Sequence, residues 1–119
     1  MTQKPSLDPE ALSRLHKLGG RDLAGKIVAI FLGAAPQKMQ EASQGLDQGD
    51  LEVVERAVHS MRSSAGNVGA LRLSELAEQV EDRAEAGQGD GLGGLLEQMQ
   101  AEFTQVQEAL DKAMKELPS

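Results

Sequence analysis

The residue best suited to take part in a chemical reaction is His59, in the stretch AVHSMRSSAGNVGALRL at residues 57–73. At neutral pH most of an exposed imidazole is uncharged and has a nucleophilic nitrogen, so it could accept a phosphoryl group. Arg62 follows one helical turn later and could hold phosphate oxygens. Ser63 and Gly66 are small and would let another protein approach closely. The same residues are also compatible with a surface histidine that has no function.

The apolar residues around His59 predict a helix that leaves it exposed. They recur at alternating spacings of three and four and are Leu51, Val54, Val58, Met61, Ala65 and Val68. This stripe predicts a helix that follows Asp50 as N-cap and buries one face. His59 comes one position after Val58, about 100° around the axis, and therefore lies off the buried face. We predict that its exposed neighbours dock a partner; they are Glu55, Arg56, Ser63 and Gly66.

The rest of the chain is also predicted to be helical, because no long segment alternates apolar and polar residues. A short first helix is expected over about 8–18, with Asp8 as N-cap, and should stop at Gly19-Gly20. A helix from about residue 22 should carry a kink at Pro36. It is expected to turn these residues toward the core: Leu23, Ile27, Ile30, Phe31, Ala34, Met39, Ala42 and Leu46. Two more apolar stripes, at residues 73–84 and 92–117, predict the two remaining helices.

This pattern predicts an all-α fold, an antiparallel up-down-up-down four-helix bundle with a short extra N-terminal helix. Residues 1–119 are expected to form a single domain, with the cap helix at about 8–18 and the bundle at about 22–117. The main alternative is an array of helical hairpins that depends on a partner for its stability.

Composition argues against several classes of function. The net charge of -7, from 19 acidic and 12 basic residues, argues against nucleic acid as a partner. The absence of cysteine excludes disulfides and thiolate metal sites. No apolar run reaches the length of a signal peptide core or a membrane span, so a cytoplasmic protein with no membrane contact is expected.

Other candidate chemical groups are weaker. His16 precedes Gly19-Gly20 at the predicted end of a helix, where an imidazole can satisfy carbonyl groups, and we assign it a structural role. Ser63 and Ser64 lack the strand and elbow of a serine hydrolase. Glu55 and His59 lie one turn apart, but neither histidine belongs to the Glu-x-x-His pairs of bundle metal sites, so no metal or cofactor is predicted.

The segment AVHSMRSSAGNVGALRLSELAEQVE resembles the signature of histidine phosphotransfer (HPt) domains. That signature has a histidine, then hydrophobic, basic and small residues, a hydrophobic-Gly-Ala turn, and a helix ending in hydrophobic-Glu. The matching residues here are His59, Met61, Arg62, Ser63, Ser64, Ala65, Val68, Gly69, Ala70, Leu73, Ala77, Val80 and Glu81. The preceding Ala-Pro step and the Gly-Asp pair at residues 49–50 match too, so the resemblance covers about residues 22–110.

The resemblance implies a phosphocarrier that is not itself an enzyme. His59 would be the phosphoacceptor and Arg62 would support the phosphate, while Gly69-Ala70 would shape the turn. The family usually has lysine at the position of Arg62 and often glycine at that of Ser63. The implied partners are response-regulator receiver domains, which hold the magnesium, and a sensor or hybrid histidine kinase; a monomer is expected. The alternative is an adaptor that binds a receiver or kinase without carrying phosphate.

Overall fold

Four helices form the regular structure of residues 4–118, the part of the chain that this computed structural model describes. They are α1 (Pro9–Asp47), α2 (Leu51–Asn67), α3 (Leu71–Glu85) and α4 (Leu92–Glu116). Each helix packs against two neighbours in the ring α1, α2, α3, α4. Short connections make consecutive helices antiparallel, and the prediction of an all-α four-helix bundle is confirmed.

The N-terminal segment differs from the prediction of a separate short helix over about 8–18. It begins as expected, since Asp8 is the N-cap and accepts a hydrogen bond from the Glu10 N–H at 3.1 Å. However, residues 9–18 are the first part of α1, so four helices are present in the described chain and no extra one. The backbone bends at Gly19 and Gly20, where Gly20 has φ +73°. The backbone is helical up to Gly19 and again directly after Gly20. The bend is confined to these two residues because glycine reaches a positive φ without a steric penalty.

Pro36 lies inside α1, where a kink is predicted from the missing N–H. The departures from helical φ and ψ within α1 fall instead at Gly19 and Gly20. The backbone therefore keeps helical dihedral angles through Pro36, and the two glycines account for the change in direction.

The turn between α2 and α3 is fixed by close contact with the N-terminal segment. Gly69 has φ +81°, and a Cβ at this position would lie 2.6 Å from the Asp8 carbonyl oxygen and 2.7 Å from the Ala11 Cβ. The Asp8 N–H donates to the Gly69 carbonyl at 2.7 Å, and the Arg72 N–H donates to Pro5 at 3.1 Å. The predicted break at Gly69 is thus both a left-handed turn and a point of close packing.

The core is built from apolar side chains of all four helices, with Phe31 and Phe103 in contact at a ring separation of 5.8 Å. The predicted stripe of α2 is buried at Val54, Val58, Met61, Ala65 and Val68. The prediction that Ile30 lies in the core is wrong, because this side chain is 67% exposed. The segment IVAIFLGAAP at residues 27–36 is apolar all around the helix, so its periodicity could not distinguish the buried face from the exposed one.

Within residues 4–118, none of the helices combines the length and the apolar character needed to cross a membrane.

Candidate functional site

His59 lies in the middle of α2 on the side that faces away from the core. Its side chain is 66% exposed, whereas its neighbour Val58 is fully buried in the bundle. The helix therefore positions the imidazole as the apolar stripe predicts. α2 begins after the N-cap Asp50, whose side chain accepts a hydrogen bond from the Val53 N–H at 3.3 Å.

The Nδ1 atom of His59 is hydrogen-bonded to the Glu81 carboxylate on the neighbouring helix α3. An ionised carboxylate can only accept hydrogen bonds, so Nδ1 carries the proton and donates it to Glu81 Oε2. In this tautomer the second ring nitrogen, Nε2, has a free lone pair. No hydrogen bond to Nε2 is found among residues 4–118, and the ring edge faces solvent.

Arg62 contacts the same carboxylate from the other side. Its Nη1 donates to Glu81 Oε1 at 2.6 Å, and its Nη2 lies 3.8 Å from Glu78 Oε1. The two oxygens of Glu81 therefore link His59 and Arg62. The predicted contact of Arg62 with phosphate remains a prediction, since in this structure its guanidinium is directed at two carboxylates of α3.

Glu81 is a buried charge, with 7% of its surface exposed. Burial by itself raises the pKa of a carboxyl group, but hydrogen bonds from Arg62 and His59 outweigh burial here and leave the Glu81 pKa below its ordinary value. The hydrogen bond to Glu81 in turn raises the pKa of Arg62. Glu81 is therefore ionised at neutral pH and accepts the hydrogen bond from His59 Nδ1.

The predicted docking residues share the exposed side of α2 with His59. Arg56, Ser63 and Gly66 are exposed, and Glu55 is partly exposed. The small residues leave room along this side, since a Cβ added at Gly66 would meet only the Ser74 hydroxyl, 4.0 Å away. The structure thus brings His59 together with Arg62, while the docking residues lie nearby without a hydrogen bond to the imidazole.

The residue that sequence reasoning missed is Glu81. It matches the glutamate that follows a hydrophobic residue in the HPt-like pattern, on the helix after the turn, which is α3, but the pattern alone assigns it no chemical role. A signal was present, because Glu81 follows Val80 and lies four residues after Ala77 and three before Ala84, within the apolar stripe of α3. A charged residue among buried positions needs a partner, and that partner is found on α2.

The second histidine, His16, has a structural contact, as the sequence predicts. The Nε2 of His16 is 3.1 Å from the Pro118 carbonyl oxygen, so the imidazole satisfies a carbonyl beyond the end of α4. Within residues 4–118, no group of three or more histidine, cysteine, aspartate or glutamate side chains is arranged to hold a metal ion.

Fold and site together define a class of protein: a four-helix bundle that presents one histidine, oriented by a buried carboxylate, on the outside of a helix. The profile of the Hpt domain family matches residues 26–109, more than half of the chain. The chain therefore belongs to the Hpt domain family, as the sequence resemblance predicts.

Two solved structures are similar to this one in fold. Histidine-containing phosphotransfer protein B (HptB) from Pseudomonas aeruginosa PAO1 is 22% identical, with a TM-score of 0.88 over 98% of this chain and 100% of that chain. A rice protein assigned as a histidine-containing phosphotransfer protein is 19% identical, with a TM-score of 0.79 over 92% of this chain and 80% of that chain. Among curated proteins, none shows significant sequence similarity to the chain.

Proposed function

We propose that this protein carries phosphoryl groups in a two-component phosphorelay, with His59 as the acceptor. Family membership supports the general function. The observation that carries the assignment to His59 is its exposed side chain, 66% accessible, with Nδ1 bonded to Glu81 and no partner for Nε2 within the described residues 4–118. The relay would run from a receiver-domain phosphoaspartate to His59 and then to the aspartate of another receiver.

The geometry suggests how the transfer proceeds. The lone pair of Nε2 attacks the phosphorus of the phosphoaspartate; the N–P bond forms, the P–O bond to the aspartate breaks, and the carboxylate leaves with the electron pair. The Nδ1 proton stays on the ring, which becomes positively charged, and the Glu81 carboxylate offsets this charge. Because the charged ring is a good leaving group, the reverse step to a second receiver follows the same path.

Arg62 supports this step through Glu81. By donating to Oε1 it holds the carboxylate ionised and oriented toward the ring. No kinase or hydrolase site is assigned to this chain, and the catalytic Mg²⁺ would be supplied by the receiver. The partners proposed are response-regulator receivers and a sensor or hybrid histidine kinase.

An exposed apolar surface suited to a partner lies on α1, the neighbour of the histidine helix. On α1, Ile30 is 67% exposed and Leu18 is 79% exposed. Leu18 also lines a groove with Ile27 of this helix and Gly66 of α2, and Gly66 follows His59 by two helical turns. We propose that a receiver buries these side chains when its aspartate approaches His59.

The test is transfer of labelled phosphate from a panel of phosphorylated receiver domains. Wild-type protein is expected to gain acid-labile label, and His59→Gln is expected to gain none while keeping its helical circular dichroism. His16→Gln is the matched control, because it removes the other histidine and should still accept label. Label on His59→Gln would contradict the assignment.

The same experiment addresses the alternative of an adaptor. A receiver that binds the wild-type protein and His59→Ala equally, and transfers label to neither, would favour regulation by binding alone. Binding accompanied by transfer to the wild-type protein would favour the carrier.

A further inference from the structure

A phosphoryl group on His59 Nε2 would bring negative charge to an exposed position. A nearby cation that is free of other partners would bind it. Two acidic side chains lie close to the position and would repel the phosphate. Glu81 on α3 contacts the imidazole itself, and Glu55 precedes His59 by one helical turn on α2. A positively charged side chain is therefore needed nearby, and phosphate oxygens favour the planar donors of arginine.

Arg62 is not free for this task. It bonds Glu81 at 2.6 Å and lies 3.8 Å from Glu78. If it turned to the phosphate, the Oε1 oxygen of Glu81 would lose its donor although the residue is only 7% exposed. An unpaired buried carboxylate oxygen is costly, so the arrangement opposes this movement.

Lys38 on α1 is a cation on the other side of α2, where it lines a pocket with residues of that helix. Its Nζ donates to Glu41 at 3.3 Å. The pocket it lines with Ser60 and Ser64 lies between α1 and α2, whereas the His59 imidazole is bonded to α3. This lysine is therefore bonded to Glu41 on the α1 side of α2, and the imidazole is held on the α3 side.

Arg56 meets the requirement. It precedes His59 by three residues and so shares its side of the helix. It is exposed, and within residues 4–118 it makes no ion pair or side-chain hydrogen bond. Helical side chains lean toward the N-terminus of their helix, so the His59 ring extends over the turn that bears Arg56, and the long arginine side chain must fold back along the helix to reach the phosphoryl group.

We propose that Arg56 binds the phosphoryl group of phospho-His59, while Arg62 stays on Glu81 as a positioning residue. This inference rests on the proposed function, because it requires phosphate on His59 Nε2. It gives Arg56 a role beyond docking and separates the two arginines into one that holds the phosphate and one that orients the imidazole.

The experiment uses the full chain with His16→Gln, so that His59 is the one remaining histidine, and phosphorylates it chemically with phosphoramidate. The ³¹P spectrum reports whether phosphohistidine forms. The ¹H–¹⁵N spectrum of the arginine side chains is recorded before and after, with the Nε–H peaks assigned by their loss in Arg56→Lys and Arg62→Lys. We expect the Arg56 peak to shift and sharpen on phosphorylation and the Arg62 peak to stay in place.

A second readout tests the charge itself. In Arg56→Ala the midpoint of the ³¹P titration of phospho-His59 should rise by a few tenths of a pH unit, and Arg56→Lys should restore it. Movement of the Arg62 peak alone, or of neither peak, overturns the inference while leaving the carrier function intact. The absence of a phosphohistidine signal in folded protein would instead contradict the proposed function and this inference with it.

Discussion

At the scale of single residues, the Glu81 carboxylate links the two side chains to which the sequence assigns chemistry. We expect Glu81→Gln to slow phosphoryl transfer to His59 by roughly tenfold or more, the equivalent of one charged hydrogen bond. The amide cannot offset the positive charge of the ring, and its NH₂ group can donate to Nδ1, which moves the ring proton to Nε2. Transfer rates and ¹⁵N spectra of the His59 ring measure both effects.

Glu78→Gln is the matched control for this prediction. Its side chain is 50% exposed and lies 3.8 Å from Arg62, so its neutralisation should change the transfer rate little. An equal loss of rate in the two variants would show that removing a negative charge from α3, rather than breaking the contact with His59, slows the transfer.

The pH dependence of stability provides a second check on Glu81→Gln. The Glu81 pKa lies below its ordinary value of 4.5 in the folded protein, so its ionised form stabilises the fold above that pH. The wild-type protein should therefore be more stable than the variant toward urea at neutral pH. The difference should shrink as the pH falls below 4.5 and through the folded pKa, where both side chains are neutral.

At the scale of elements, the turn between α2 and α3 holds the histidine helix against the N-terminal segment through Gly69. We expect Gly69→Ala to reduce the free energy of unfolding by about 3 kcal/mol or more, because a left-handed backbone angle and a steric clash act together. The added Cβ would lie 2.6 Å from the Asp8 carbonyl oxygen. Urea denaturation measures the loss.

Gly87→Ala separates the two causes. Gly87 also has a positive φ, of 74°, but a Cβ there would meet nothing within 4 Å. It should cost about 1 kcal/mol from the backbone angle alone. Equal losses in the two variants would mean that the contact between Gly69 and Asp8 contributes nothing.

The elements also show what the sequence could predict. Local signals identified the caps at Asp8 and Asp50, the buried stripe of α2 and the exposure of His59, since each depends on residues within a few helical turns. Glu81 was missed as a partner of His59 because their contact joins residues 22 positions apart on two helices. Ile30 was assigned to the core because a segment that is apolar on every side gives no information on which side is buried.

At the scale of the whole molecule, the N-terminal segment packs against the end of the bundle at which α2 turns into α3 and α4 finishes. Ala11 and Leu12 are buried, although both precede the residues matched by the family profile. Near the bend in α1, Arg21 Nη1 donates to the Leu117 carbonyl at 2.9 Å, just beyond α4. These contacts support the proposal that the single domain extends beyond residues 26–109 to nearly the full chain.

A matched pair of leucines in the N-terminal segment tests this extent. Leu12 is 1% exposed within the core and Leu18 is 79% exposed, although both belong to the first part of α1. Leu12→Ala should lower the free energy of unfolding by about 2–5 kcal/mol, because it removes buried methyl groups and leaves a cavity, and Leu18→Ala should change it by less than about 0.5 kcal/mol. A single cooperative urea transition that shifts for Leu12→Ala is expected from a segment that folds with the bundle. An unchanged transition would mean that residues 9–18 are an appendage, and that the domain begins after Gly20.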